Sequence, residues 1–251
     1  MVSRDADVAE GEASLLLSRA APLVVLQRRG EALASSVAPA QNTLGFMLPY
    51  TPLHHLLMQN MNRPIVLTSG NRSDEPQAVS NRAAHQRLNQ IADYYLLHDR
   101  DIVNRVDDSV LRLADSQPRY LRRARGYAPQ PIALPDGFSS GAGILAMGGE
   151  LKNTFCLLQG GRAVLSQHMG DLEDTETYRD YRHNLQLFRR LFEFSPGTLV
   201  VDKHPNYLST ELGRSIAADE GLQLIEVQHH HAHITACMAE HGLPLDTEQV
   251  L

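Results

Sequence analysis

The sequence predicts an α/β protein made of two modules, and three observations carry that expectation. In the first half, short β-branched runs bounded by breakers alternate with helical stretches. Near the middle, a stretch dense in proline and glycine interrupts both kinds of pattern. Beyond it, three apolar runs joined by glycine turns give way to a renewed alternation of helix and strand. A chain of 251 residues is long enough for two modest cores.

Taken in order, Pro22 to Arg28 and Arg63 to Thr68 read as buried strands, because each packs β-branched residues between breakers. Leu53 to Gln59 and Asn81 to Ile91 read as helices, the second capped by the Ser80 hydroxyl. From Tyr127 to Gly143, repeated proline and glycine leave neither helix nor central strand, so the linker is placed there. The expected modules are therefore 1–133 and 142–251. Ile144 to Met147, Thr154 to Leu158 and Ala163 to Gln167 then form two successive hairpins. Asp174 is a natural cap for a long helix whose apolar face carries Tyr178, Tyr181, Leu185 and Phe188. Strand Thr198 to Asp202, helix Tyr207 to Ala218, strand Leu222 to Val227 and a helix from His229 to Glu240, ended by Gly242, complete a βββαβαβα order.

Composition narrows the function. The chain is 43% hydrophobic and 21% charged with a net charge of -6, so no global field draws it to nucleic acid or to an anionic membrane. Phosphate binding, if present, is local. Two cysteines cannot build a disulfide framework, and Cys156 lies in an apolar run, which suits a reducing compartment. Met1 is followed by Asp5, Asp7, Glu10 and Glu12 rather than by a secretory signal, and no apolar stretch reaches membrane-spanning length. The expectation is a cytoplasmic protein without a membrane partner.

Several motifs could carry chemistry. In Val227-Gln-His-His-His-Ala-His233, a helix starting at the strand end sets His229 and His233 at i and i+4 on one face, the spacing of two ligands to one ion. His230 and His231 point elsewhere. In Met147-Gly-Gly-Glu-Leu-Lys-Asn153, Gly148 and Gly149 let backbone amides approach a phosphate, Lys152 adds charge and Asn153 a donor. By itself this is an ordinary tight turn. Ser166, Gln167, His168, Gly170 and Asp171 end the third strand of the second module and, with His204, could face the same cleft. Thr68-Ser-Gly-Asn71 ends a strand of the first module, where hydroxyl, amide and carboxamide suit a phosphate or a small acyl group. Arg119, Arg122, Arg123 and Arg125 form a dense basic stretch suited to phosphate oxygens or simply to a solvated face.

These motifs resemble a known family. Thr68-Ser-Gly-Asn-Arg-Ser-Asp-Glu-Pro76, His98-Asp-Arg-Asp-Ile-Val-Asn-Arg-Val-Asp-Asp-Ser109 and Arg122-Arg-Ala-Arg-Gly-Tyr127 are similar to the YrdC-like module of the HypF carbamoyltransferases of [NiFe]-hydrogenase maturation. Gly148 to Phe155, Ser166 to Leu172, Asp202 to Thr210 and Val227 to His233 resemble the module that follows it there. That module is akin to the metal-containing transferase of tRNA threonylcarbamoylation and has an actin/Hsp70-like (ribonuclease H-like) ATPase fold. The resemblance implies a partial YrdC-like domain followed by half of such an ATPase domain.

It also implies an activity. Carbamoyl phosphate and ATP would give carbamoyl adenylate, and the carbamoyl group would pass to the C-terminal cysteine of HypE to become a cyanide ligand. Adenylation converts carbamate, a poor electrophile, into a mixed anhydride with a good leaving group. By resemblance, Ser69, Asn71 and Arg125 bind the adenylate, Gly148, Gly149, Lys152 and Asn153 handle nucleotide phosphate, Lys152 and Asn153 being the catalytic candidates, and His229 with His233 hold zinc or iron, with magnesium accompanying ATP. The family's acylphosphatase module, cysteine-rich region and lysine- and glycine-rich YrdC opening have no counterpart here, and an aspartate-glycine motif is expected after Val250-Leu251. The expectation is thus an internal stretch of such an enzyme, inactive in carbamoyl transfer by itself. Two other readings stand beside it. One is a tRNA threonylcarbamoyladenosine-type enzyme, whose two modules are normally separate proteins. The other is a non-catalytic module that binds nucleotide or double-stranded RNA.

Overall fold

The computed structural model describes residues 2–247 apart from 62, 74, 139–142 and 245. Part of the expected linker, the expected start of the second module at 142 and one residue of the 68–76 motif lie outside the described residues. Two mixed α/β units emerge: residues 1–70 with 106–127, and residues 71–105 with 128–251.

The first unit is built on a four-stranded sheet. Helices α1 (Val2–Asp5) and α2 (Glu10–Leu16) precede β1 (Leu23–Gln27), β2 (Thr43–Phe46), helix α3 (Pro52–Met58), β3 (Val110–Ala114) and β4 (Gln117–Arg122). The strand order is β2-β1-β3-β4, with β1 and β3 parallel and the outer pairs antiparallel. Residues Val24 and Leu26 alternate onto one face of β1 and are fully buried with Ala6 and Leu16. Strand β3 turns into β4 through Asp115 and Ser116, both at positive φ, the geometry of a two-residue hairpin.

One strand expected from the sequence does not form. Arg63 to Thr68 has no strand structure, and Ile65, Val66 and Leu67 are 44%, 76% and 58% exposed. Pro64 lacks an amide for a ladder, and among the described residues no strand lies beside this run to pair with it. Apolar content without a partner edge is not enough to make a strand.

The second unit holds α4 (Asn81–Leu88), capped as expected by the Ser80 hydroxyl, which accepts the Ala83 amide at 3.1 Å. Residues 71–105, placed by sequence in the first module, are tied within this unit. The Arg105 guanidinium meets Asp180 and donates to the Gln77 carbonyl, and Asn184 donates to the Asn104 carboxamide at 2.9 Å. Next come β5 (Ile132–Ala133), β6 (Ile144–Ala146), β7 (Cys156–Gln159), β8 (Arg162–Leu165), α5 (Thr175–Leu191), β9 (Thr198–Asp202), α6 (Leu208–Glu220), β10 (Gln223–Val227) and α7 (His229–His241). The sheet order is β10-β9-β6-β7-β8-β5, with β10, β9 and β6 parallel and β6, β7 and β8 joined as antiparallel hairpins. The expected βββαβαβα order is thus observed. Within the expected linker, Ile132 and Ala133 pair with Ala163 and Arg162 at the sheet edge, so the stretch still contributes no central strand.

The core of this unit lies under α5. Asp174 accepts the Thr177 amide at 2.8 Å and starts the helix, whose face of Tyr181, Leu185 and Phe188 packs on Leu145, Phe155, Leu157 and Leu199. The Tyr181 and Phe188 rings both meet Phe155 edge-on. Close packing also sets α6 on β9, where a Cβ on Gly213 would come within 2.4 Å of Val201 Cγ1. No described helix is long and apolar enough to cross a membrane.

Candidate metal and phosphate site

The site grows from the carboxyl ends of neighbouring parallel strands, where open α/β sheets collect their ligands. Strands β9 and β10 pair with Val227 opposite Asp202, so Asp202 and the residues following Val227 leave the sheet side by side. Gln228 then takes the N-cap position of α7 without a side-chain capping bond, and His229 is the first helical residue. Its Nδ1 lies 2.6 Å from Asp202 Oδ2. A carboxylate can only accept, so Nδ1 is the donor in this contact, which in a neutral ring leaves the lone pair on Nε2. One turn on, His233 brings its Nε2 to 3.1 Å from His229 Nε2.

That separation is a test of fit. Two imidazole nitrogens bound 2.0–2.1 Å from one tetrahedral ion lie about 3.3 Å apart, so the pair needs almost no movement to share zinc or iron. Among the described residues no group of three or more His, Cys, Asp and Glu side chains stands ready to enclose an ion. The two histidines by themselves have the spacing of two ligands to one ion.

The glycine turn is brought to the same place. Gly148 has a φ of +74°, and a Cβ there would lie 2.3 Å from the Thr154 carbonyl oxygen, so only glycine fits. A Cβ on Gly149 would be 3.6 Å from His229 Cε1, which sets this residue beside the His229 ring. Two anchors hold the turn to α6. The Ser209 hydroxyl lies 3.1 Å from both the Gly148 and Gly149 carbonyls, and Glu150 Oε2 accepts the Leu208 amide at 2.9 Å. Glu150 is buried, and burial pushes its carboxyl above the usual range although the Leu208 and Ser209 amides pull it back.

Not every expected residue faces the cleft. Lys152 is exposed at a φ of +51° and available to solvent, whereas Asn153 is 1% exposed and directs its amide to the Met147 and Gly149 carbonyls. Asn153 therefore shapes the turn from beneath. Ser166 and Gln167, expected at the cleft, are buried: Ser166 accepts the Phe155 amide at 3.1 Å and Gln167 donates to Asn184 at 2.8 Å. His204 does reach the site, stacked on Tyr207 with ring centres 4.0 Å apart. Asp202, Lys203, His204, Tyr207, Gln228, His229 and His230 line an open cleft of about 360 Å³. Asp202, Tyr207 and Glu150 were missed by sequence reasoning, and for Asp202 the signal was its position at a strand end just before His204.

In the first unit, Arg125 faces inward. Its Nε donates to Asp108 at 2.9 Å, its Nη1 to the Ala20 carbonyl at 3.0 Å and its Nη2 to the Ala21 carbonyl at 2.8 Å. The guanidinium also lies 3.7 Å above the Tyr50 ring centre. Ser69 is exposed in irregular backbone, and in the other unit the Asn71 amide donates to the Arg72 carbonyl at 2.8 Å.

Comparison with known proteins fits this architecture. A family model described as the HypF Kae1-like domain matches residues 139–240, and the Sua5/YciO/YrdC model, described as telomere recombination, matches residues 1–124. Carbamoyltransferase HypF of Synechocystis sp. is 45% identical over 233 residues, 92% of this chain and 30% of the relative. Carbamoyltransferase HypF of Rhodobacter capsulatus is 40% identical over 249 residues, 99% of this chain and 33% of the relative. A crystal structure of full-length HypF in the phosphate- and nucleotide-bound form matches with a TM-score of 0.87 at 47% identity, covering 96% of this chain and 38% of that one. The T. kodakarensis HypF crystal structure matches with the same TM-score at 35% identity, covering 96% and 32%. This chain spans about a third of the length of the curated relatives it matches. With two family models in the HypF order and matches along nearly its whole length, the chain belongs to the HypF family of carbamoyltransferases.

Proposed function

We propose that the chain serves ATP-dependent carbamoyl transfer onto a protein thiol. Carbamate, released with inorganic phosphate when water hydrolyses carbamoyl phosphate, attacks the α-phosphorus of ATP in the YrdC-like module, residues 1–133, and pyrophosphate leaves. The carbamoyl adenylate then reaches the second module, residues 142–251, and its carbonyl carbon is attacked by the C-terminal cysteine thiolate of HypE, releasing AMP. Ser69, Asn71 and Arg125 are assigned to the adenylate, and Arg125 would exchange internal partners to reach it. Gly148, Gly149 and Lys152 are assigned to nucleotide phosphate, with Asn153 holding the turn that presents them. His229 and His233 are assigned to zinc or iron, and magnesium would travel with ATP. When bound, the ion supplies Lewis-acid polarisation of a carbonyl or phosphoryl oxygen. We place the reaction in the cytoplasm.

The observation that carries the reading is the meeting of a histidine pair with a glycine turn: His229 Nε2 stands 3.1 Å from His233 Nε2, and Gly149 lies against the His229 ring. A histidine pair beside a glycine turn suits a nucleotide-dependent acyl transfer. The test is made in a full-length protein carrying this sequence. Carbamoyl-phosphate-dependent exchange between ATP and pyrophosphate should fall at least tenfold in Asn71→Ala, and mass spectrometry should find a thiocarbamate on the HypE cysteine only with both substrates. Wild-type exchange in Asn71→Ala would remove that residue from the adenylate site, and an unmodified thiol under full conditions would reject the transfer.

A further inference from the structure

Outside the glycine turn, the cleft contains one relationship that the assignment of two metal ligands does not explain. Asp202 has a side chain only 9% exposed, yet among the described residues its charged contact is His229 rather than a lysine or arginine. Its two oxygens have different tasks. Oδ1 accepts the His204 backbone amide at 2.8 Å, and Oδ2 faces His229 Nδ1 at 2.6 Å.

We propose that Asp202 is a positioning residue that fixes the tautomer and the ring angle of His229, so that Nε2 always presents its lone pair toward His233. This rests on reading His229 and His233 as a metal pair. Neutral imidazole places its single proton on either nitrogen, and the proton must leave Nε2 before that atom can bind an ion. A carboxylate at Nδ1 removes the choice by offering only an acceptor. The backbone bond from His204 holds that carboxylate in one rotamer, and the parallel pairing of Val227 with Asp202 sets the distance. Gly149 leaves room on the other side of the ring, where even a methyl group would sit at van der Waals distance from Cε1.

Asp202→Asn is the informative variant because it is isosteric. Its carboxamide oxygen can still accept the His204 amide, which turns the NH2 group toward His229 Nδ1. An NH2 donor there favours the Nε2–H tautomer, the form that cannot ligate. Nitrogen-15 NMR of the metal-free protein should report His229 as Nδ1–H in the wild type and shifted toward Nε2–H in Asp202→Asn. Zinc affinity, measured by competition with a chromophoric chelator, should fall about 10- to 100-fold, the range for loss of a ligand-orienting group. Circular dichroism and thermal melting establish that the variant is folded. His229→Ala separates the two ideas. If it binds zinc like the wild type, the metal pair is wrong, and the NMR readout still decides the tautomer claim. Unchanged His229 tautomer and unchanged zinc affinity in a folded Asp202→Asn overturn the proposal.

Discussion

Glu150 caps a helix that begins 58 residues later: its Oε2 accepts the Leu208 amide at 2.9 Å and so fixes the glycine turn to α6. A helix leaves its first amides without internal partners, and a carboxylate there satisfies one of them and meets the positive end of the helix dipole. Glu150→Ala should lower stability by about 1 kcal/mol, the usual loss for a missing cap. Glu150→Gln, which keeps an acceptor oxygen, should remain close to wild type. Urea unfolding of the three proteins at neutral pH checks this, and equal losses in both variants would show that the acceptor is unimportant.

The same residue sets a pH dependence. Burial, the largest influence, raises the folded-state pKa of Glu150 above that of the unfolded chain, so the folded state holds the proton more tightly. Its contribution to stability is present below the unfolded carboxylate pKa and is lost as pH rises through the folded one. Glu150→Gln has no such group. The stability of Glu150→Gln relative to wild type should therefore increase as pH rises from the mildly acidic to the neutral range. A difference that is flat with pH, or that falls, contradicts the sign.

Adjacent glycines should behave differently. Gly148→Ala would bring a methyl group within 2.3 Å of the Thr154 carbonyl oxygen at a positive φ and should destabilise by about 1–3 kcal/mol. Gly149→Ala meets only His229 Cε1 at 3.6 Å and should leave thermal stability nearly unchanged. Melting curves of the two variants distinguish them directly.

How much of this was legible in the sequence depends on whether the signal was local. The hairpins from β6 to β8, the Asp174 and Ser80 caps and the spacing of His229 and His233 are local patterns, and the structure contains each of them. Helix α2 was overlooked although Glu12 reaches back to the Ala9 amide at 2.9 Å, a start signal visible as a glutamate three residues after the cap position. Strand β2 was hidden by Gly45, which sits where a Cβ would come within 2.6 Å of Leu23 Cδ2. Asp202 could not be paired with His229 in advance, because 27 residues separate them and only the order of strands in the sheet makes them neighbours.

Arg125 offers a test of a residue whose guanidinium faces inward in the first unit. Lysine keeps the charge but cannot serve Asp108, Ala20 and Ala21 at once or lie flat on Tyr50. Arg125→Lys should destabilise by about 1–3 kcal/mol, since partly buried acceptors lose a charged donor. Chemical denaturation measures it, and a change within about 0.5 kcal/mol, the range of ordinary surface substitutions, would mean that these contacts are dispensable.

The most direct test of the account is the metal content of a purified full-length protein carrying this sequence, which can supply the remaining ligands, after loading with zinc or ferrous iron and removal of excess ion. Elemental analysis should find about one ion per chain in the wild type and in His230→Ala/His231→Ala, and essentially none in a folded His229→Ala/His233→Ala, as expected when two histidines one helical turn apart share an ion. Equal metal in all three proteins, or loss in the His230→Ala/His231→Ala variant while His229→Ala/His233→Ala retains it, would contradict the assignment.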